Sequence, residues 1–217
     1  MKNFRVILFF SCALIAVSCG KRRKVIGGGT LYFPQTGKET WLLYLENDSC
    51  YEAFYSGNTL VRIISAKTKE EMEDSTYLER CYFPDGKLLL TKQFIHRVPE
   101  GEWTTYYDTG KQKSWKVIRH GVPLHYKDWF EDGRLSVEGI RDPNGNLDRK
   151  QYYYNGNMDQ EFTTDSLGNG HCKAYHKNGK IETEGQLNYF SPFGLWKRWD
   201  SLGNPRTDTV YGIPGNR

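Results

Sequence analysis

The sequence predicts an all-β fold: an elongated, single-layer antiparallel sheet of tandem β-hairpin repeats of about 23 residues. Three observations predict it. Glycine recurs at Gly86, Gly110, Gly133, Gly156, Gly179 and Gly203, with gaps of 24, 23, 23, 23 and 24 residues. A large aromatic stands four residues before each of them, at Tyr82, Tyr106, Trp129, Tyr152, Tyr175 and Trp199; six matches in six positions exceed what chance gives a chain with 15% aromatics. The composition agrees, because fifteen Tyr, eleven Phe, six Trp and 22 Gly at a mean hydropathy of -0.70 suit short strands and turns better than a thick helical core.

Taken in order, residues 1–18 read as an export signal. Lys2 and Arg5 make a basic start, and Val6 to Val17 form an apolar run too short for a comfortable bilayer span and of the right length for a signal h-region. The sequence Ala16-Val17-Ser18-Cys19 resembles a bacterial lipobox, which implies cleavage before Cys19 and its acylation. The expected product is an exported lipoprotein, anchored in a membrane of the bacterial cell envelope on its periplasmic or surface side. Removing Lys2 and Arg5 lowers the formal charge from +4 to +2. Residues 19–29 then read as a lipid-anchored flexible tether, with Lys21, Arg22, Arg23 and Lys24 beside the headgroups and Gly27-Gly28-Gly29 as linker. No sustained basic stripe is present, so nucleic acid is not an expected partner.

Residues 30–76 read as a divergent β section: Phe33-Pro-Gln-Thr-Gly37 keeps the aromatic-to-glycine spacing, and Trp41 to Leu45 resembles a strand. The charged run Lys67 to Asp74 reads as a solvated loop or a short helix over the end of the sheet. Lys67 to Tyr77 and the Val210-Tyr211-Gly-Ile-Pro tail (residues 210–217) are the candidate caps. Cys50, Cys81 and Cys172 remain after the signal and anchor, an odd number that allows at most one internal disulfide of unreadable pairing.

The tandem repeats occupy 77–209. Phe-Pro-Asp-Gly-Lys, Phe-Glu-Asp-Gly-Arg and His-Lys-Asn-Gly-Lys suit a type I turn followed by a residue at positive φ, the position glycine takes without a Cβ penalty. That geometry sets Tyr82 opposite Leu88, Trp129 opposite Leu135 and Tyr175 opposite Ile181. The Asp-Thr-Gly at 108–110 is then one such turn, equivalent to Pro-Asp-Gly and Lys-Asn-Gly elsewhere, and not a catalytic aspartate loop.

The segment Gly101-Glu-Trp103-Thr-Thr-Tyr106-Tyr107-Asp-Thr-Gly110-Lys111, with weaker copies at Gly170 to Lys180 and Gly194 to Asn204, resembles the bacterial MORN-repeat variant family, some of whose members are labelled antitoxins. The resemblance covers roughly residues 77 to 205. Two units depart from the pattern, with Leu124 and Leu147 in place of the leading glycine and Arg149 where Trp103 and Trp196 stand. The family implies hairpins laid side by side in a twisted antiparallel sheet.

Chemistry is sparse. Cys172 and His176 share a strand face but stand about 13 Å apart at ~3.3 Å per residue, too far for one zinc ion. There is no Gly-x-Ser-x-Gly, no phosphate loop and no cofactor motif, so neither catalysis, metal nor cofactor is expected. Aromatics are the remaining binding candidates, with Trp103, Tyr107, Tyr126, Phe130, Tyr153 and Trp196 chosen for either face of the sheet. The expected function is a non-enzymatic, membrane-tethered scaffold for a protein partner at the cell envelope. A glycan or cell-wall binding module is the alternative, because hairpins of about twenty residues with paired aromatics also resemble choline-binding wall repeats.

Overall fold

The computed structural model describes residues 17–18, 21–33, 37–47 and 49–212. Most of the expected signal, the anchor Cys19 and residues 213–217 of the expected tail lie outside the described residues. The described residues form an all-β fold, with about 65% of them in strands, and the chain divides into two units.

The first unit, residues 1–110 with 119–121, holds β1 (Val17–Ser18), β2 (Lys21–Phe33), β3 (Gly37–Glu46), β4 (Ser49–Ser56), β5 (Thr59–Ala66), α1 (Lys69–Glu73), β6 (Tyr77–Tyr82), β7 (Leu88–Ile95) and β8 (Val98–Tyr106). Each strand pairs antiparallel with the next. Core residues lie on both sides: strand alternation puts Tyr44 and Ala53 on one face and Cys50, Ile64 and Ala66 on the other, all buried. Thr68 caps α1 through its side-chain oxygen, and the helix packs against β4 and β5.

Two expectations change here. Residues 21–29, expected as a flexible tether, run as a strand, with Gly27, Gly28 and Gly29 opposite Leu43, Leu42 and Trp41. Gly29 lies against the Trp41 indole with no room for a Cβ, so the glycine run serves close packing instead of flexibility. Lys67 to Tyr77, a candidate end cap, lies inside the unit, because β5 pairs directly with β6 and the helix only bridges them.

The second unit, residues 111–118 and 122–217, holds β9 (Gln112–Arg119), β10 (Val122–Trp129), β11 (Leu135–Arg141), β12 (Leu147–Tyr152), β13 (Met158–Thr164), β14 (Gly170–Tyr175), β15 (Ile181–Asn188), β16 (Ser191–Arg198) and β17 (Thr209–Tyr211). These strands also pair antiparallel in chain order. The C-terminal tail serves as the expected cap as far as it is described: β17 pairs with Gly194 to Trp196, and Tyr211 meets the Trp196 ring edge-on at 5.8 Å.

The recurrent glycines turn as expected. Their φ angles lie between +83° and +97°. In the Phe83, Phe130, Tyr153, His176 and Asp200 turns, the residue three before the glycine donates its N–H to the carbonyl of the residue after it, and the glycine N–H donates back, at 2.8–2.9 Å. Tyr82 faces Leu88, Trp129 faces Leu135, Tyr152 faces Met158 and Tyr175 faces Ile181. A β-bulge follows in each case, re-aligning the strand beyond the turn.

A lone hairpin is marginal in water. Here neighbouring turns are laced together at both edges. On the recurrent-glycine edge, Lys87 Nζ donates to Asp108 O (2.9 Å), Asn157 Nδ2 to Lys177 O (2.8 Å) and Lys180 Nζ to Leu202 O (2.6 Å). On the other edge, the Arg97, Gly121 and Phe190 amides donate to the carbonyls of Ser75, Pro99 and Gly168. The amides just before them, of His96, His120 and Tyr189, donate to side-chain oxygens of Thr76, Glu100 and Asn169. Lys87, Asn157 and Lys180, three members of the polar column after the turn glycines, thus have a structural use that the period alone did not show.

Candidate binding surface

The aromatics chosen from sequence are all buried or half-buried, and most are engaged with neighbouring hairpins. Trp103 and Trp196 occupy equivalent places: each follows a glycine at positive φ, Gly101 or Gly194, in a strongly bulged strand. Each indole Nε1–H donates to a carbonyl ten residues back, Gln93 O at 3.0 Å and Gln186 O at 3.1 Å. Trp196 is 6% exposed and lies over Gly185, where a Cβ would collide with its ring. Trp103 packs on Phe94, with Lys92 Nζ 5.0 Å from its ring centroid.

Tyr126 lies over Gly139 in the same fashion. Burial raises its phenol above the usual value, against the pull of the Arg149 guanidinium, so Arg149 meets Tyr126 and, at 5.6 Å, the Phe162 ring. Tyr153 donates its hydroxyl to Tyr175 O at 2.7 Å, and His176, one repeat on, places Nε2 3.0 Å from Trp199 O. Phe130 bridges forward too, meeting Tyr154 edge-on at 5.2 Å. Tyr107 holds the equivalent position in its turn and is half-buried. Five of the six residues, Trp103, Tyr126, Phe130, Tyr153 and Trp196, therefore touch the preceding or following hairpin.

A different feature dominates one face of the second unit. Register sets Lys127 opposite Glu138, Glu138 opposite Lys150, Lys150 opposite Glu161, Glu161 opposite Lys173, Lys173 opposite Glu184 and Glu184 opposite Lys197. Facing residues share a side of the sheet, so seven consecutive strands carry an alternating Lys/Glu ladder roughly 29 Å long at ~4.8 Å per strand. Lys127 Nζ stands 3.9 Å from Glu138, and Lys173 Nζ 4.0 Å from Glu184. The recurrent tyrosines complete it: Tyr152 donates to Glu138 at 2.8 Å and Tyr175 to Glu161 at 2.6 Å. Burial, followed by the glutamate hydrogen bond, pushes both phenols up to about 12.

Beside the ladder, Leu195 and Val210 face each other across β16 and β17, 55% and 74% exposed. The ladder's members recur at alternating intervals of eleven to thirteen residues, a signal present in the sequence that has no meaning until the register is known. Cys50, Cys81 and Cys172 are free thiols; Cys172 is buried in the row that also holds Phe162, as its place in the Trp103 and Trp196 column suggests. Among the described residues no group of His, Cys, Asp and Glu is arranged around a metal position.

A strand of Gly-x-Trp type, bulged at its glycine and closed by a turn at the next recurrent glycine, is the local form in which family likeness can be judged. The family model described as MORN repeat variant matches residues 99–113 and 169–189. The first match spans β8 with the Gly110 turn, and the second spans β14, the Gly179 turn and β15. These matches support the MORN-repeat likeness for the repeats they cover. No curated protein matches the chain. The departures at Leu147 and Arg149 have a local reason: β11 and β12 are joined by the longer turn Asp142 to Asn146, without the glycine bulge that redirects Trp103 and Trp196.

Proposed function

We propose that this MORN-like chain is a non-catalytic repeat scaffold, exported and held at the cell envelope through Cys19, which binds a protein partner on the ladder face of its second unit. The Lys/Glu ladder carries the reading. Its charges alternate at fixed spacing and favour a partner whose charges match in register, while mismatched partners meet like charges. Leu195 and Val210 supply the apolar anchor that such a charged strip lacks.

The test has two arms. Full-length protein carrying Leu195→Ser and Val210→Ser, compared with wild type as bait in envelope extracts, is expected to lose the captured partner. Capture by wild type should weaken with added salt. Undiminished capture by the double variant contradicts the docking face. Cys19→Ser is expected to shift the protein from the membrane fraction to the soluble one; unchanged fractionation contradicts the anchor.

A further inference from the structure

The ladder reads Lys-Glu-Lys-Glu-Lys-Glu-Lys from β10 to β16. Pairing within the sheet leaves its groups within reach of a partner: the side chains of Lys127 and Lys173 are each 36% exposed, and those of Glu138 and Glu184 are 29% and 24% exposed. A second row runs along one flank on the same face. Ile140 lies opposite His125 and Asp148, Asp148 opposite Thr163, Thr163 opposite His171, and His171 opposite Gln186. Leu195 precedes Lys197 by two residues in β16, and Ile140 follows Glu138 by two in the oppositely directed β11, so both lie on this flank, near its two ends. Ile140 is 56% exposed and Leu195 55%.

This pattern decides how a second copy can lie on the face. Two sheets packed face to face keep their strands within about 30° of one another, and a two-fold axis presents the same patch from both sides. An axis along the ladder sets each residue on itself, Lys on Lys. An axis parallel to the strands reverses the order of the row. Through a strand, it makes like charges meet at every position; between two strands, it makes every Lys meet a Glu. Placed between β13 and β14, it sets Glu161 against Lys173, Lys150 against Glu184 and Glu138 against Lys197 of the second copy, each contact occurring twice. The same axis lays Leu195 on Ile140, Asp148 on Gln186 and Thr163 on His171. A neighbouring gap on either side keeps the charges opposite but carries Leu195 off Ile140, onto β9 or β13. Charge and apolar flank therefore select one register. Strands β10 to β17 offer roughly 34 Å by roughly 23 Å, about 780 Å² per copy, close to the roughly 800 Å² per partner of a standard interface.

We infer that the partner of the ladder face is a second copy of this chain, docked face to face about a two-fold axis between β13 and β14. The inference rests on the ladder-face reading above and names its partner. Opposite charges across the interface set the register, and Leu195 on Ile140 closes each end with an apolar contact.

The test uses the full chain, prepared unlabelled and heavy-isotope-labelled, mixed in equal parts and treated with a carbodiimide, which joins a lysine amine to a carboxylate in direct contact. Within one chain Lys150 and Glu184 stand three strands apart, roughly 14 Å at ~4.8 Å per strand and beyond that reach. A Lys150–Glu184 or Glu138–Lys197 cross-link between a light and a heavy peptide therefore reports the second copy. Both are expected, and added salt should reduce them. Lys150→Glu and Glu184→Lys each set like charges across the axis and are expected to lower the Glu138–Lys197 yield about tenfold, while an equal mixture of the two variants restores it. Ile140→Ser, at an exposed position, keeps the fold and is expected to lower the yield about threefold. Absence of light–heavy cross-links in the wild type, a mixture of charge variants no better than either alone, or an unchanged yield in Ile140→Ser would each overturn the inference. If no light–heavy cross-link forms while the Leu195→Ser, Val210→Ser bait still loses its captured partner, self-association is refuted and the ladder-face reading stands.

Discussion

Gly156 sits at φ +89° with nothing within 4 Å of where a Cβ would be, so it isolates the conformational role of the recurrent glycines. Gly156→Ala is expected to lose roughly 1–2 kcal/mol in urea unfolding, the cost of holding an L-residue at positive φ. A neutral result would mean that the turn is not held in this form. Asp165 accepts the amides of Leu167 and Asn169 and the Asn169 side chain, and these bonds, the Asn169 amide first, hold its carboxyl below the usual range. A depressed folded value means that the contribution is present above the unfolded value near 3.9 and is lost as pH falls through the folded one. Asp165→Asn should therefore differ from wild type in thermal midpoint at pH 7 and converge with it in acid. Tyr152 and Tyr175 have the opposite sign: their contribution is complete below about pH 10 and is lost as pH rises toward about 12. Absorbance titration is expected to show two tyrosines ionising near pH 12, and Glu161→Gln should bring Tyr175 down. At this scale the turn glycines and their aromatic partners were legible because each repeats one local rule. The fate of Tyr153 and Phe130 was not, since a forward reach to the next hairpin is a contact between units of sequence about 22 residues apart.

At the scale of strands, the bulge at Gly194 aims Trp196 back over Gly185, and β17 closes the other side. Trp196→Ala is expected to destabilise by about 3–5 kcal/mol, the usual range for a buried aromatic, as read by chemical denaturation. A loss under about 1 kcal/mol would show that the ring is not a core element. The ladder makes a different prediction. Glu184→Lys would set like charges across from Lys173 and Lys197, replacing two favourable cross-strand pairs with two unfavourable ones. At roughly 0.2–1 kcal/mol for each of these four changes the loss is about 1–4 kcal/mol, smaller in high salt and partly restored by Lys173→Glu. Strand positions were readable from the period, but their opposite-edge turns were only half visible. Asp142-Pro-Asn-Gly-Asn and Asp165-Ser-Leu-Gly-Asn carry glycine and share a hydrogen-bond pattern, whereas His96-Arg97 and Tyr189-Phe190 turn without any glycine. A search for recurrent glycine finds one edge and misses the other. The tether reading failed for a related reason: Gly27 to Gly29 have the composition of a linker, and only the facing Leu42, Leu43 and Trp41 show why small residues are needed.

For the molecule as a whole, the class of fold was legible because a 23-residue period with two strands per repeat leaves few arrangements. The binding surface was less so, because it belongs to register: side chains eleven to thirteen residues apart become a continuous row only when every hairpin pairs with the next. The account therefore stands on pairing order within each unit. Interstrand nuclear Overhauser contacts in the isotope-labelled full chain measure that order directly. The expected result is an unbroken series of cross-strand backbone contacts joining Lys127, Glu138, Lys150, Glu161, Lys173, Glu184 and Lys197, each to the next. Sequential helical contacts through these segments, or a series that skips a strand or shifts by one residue, would contradict it.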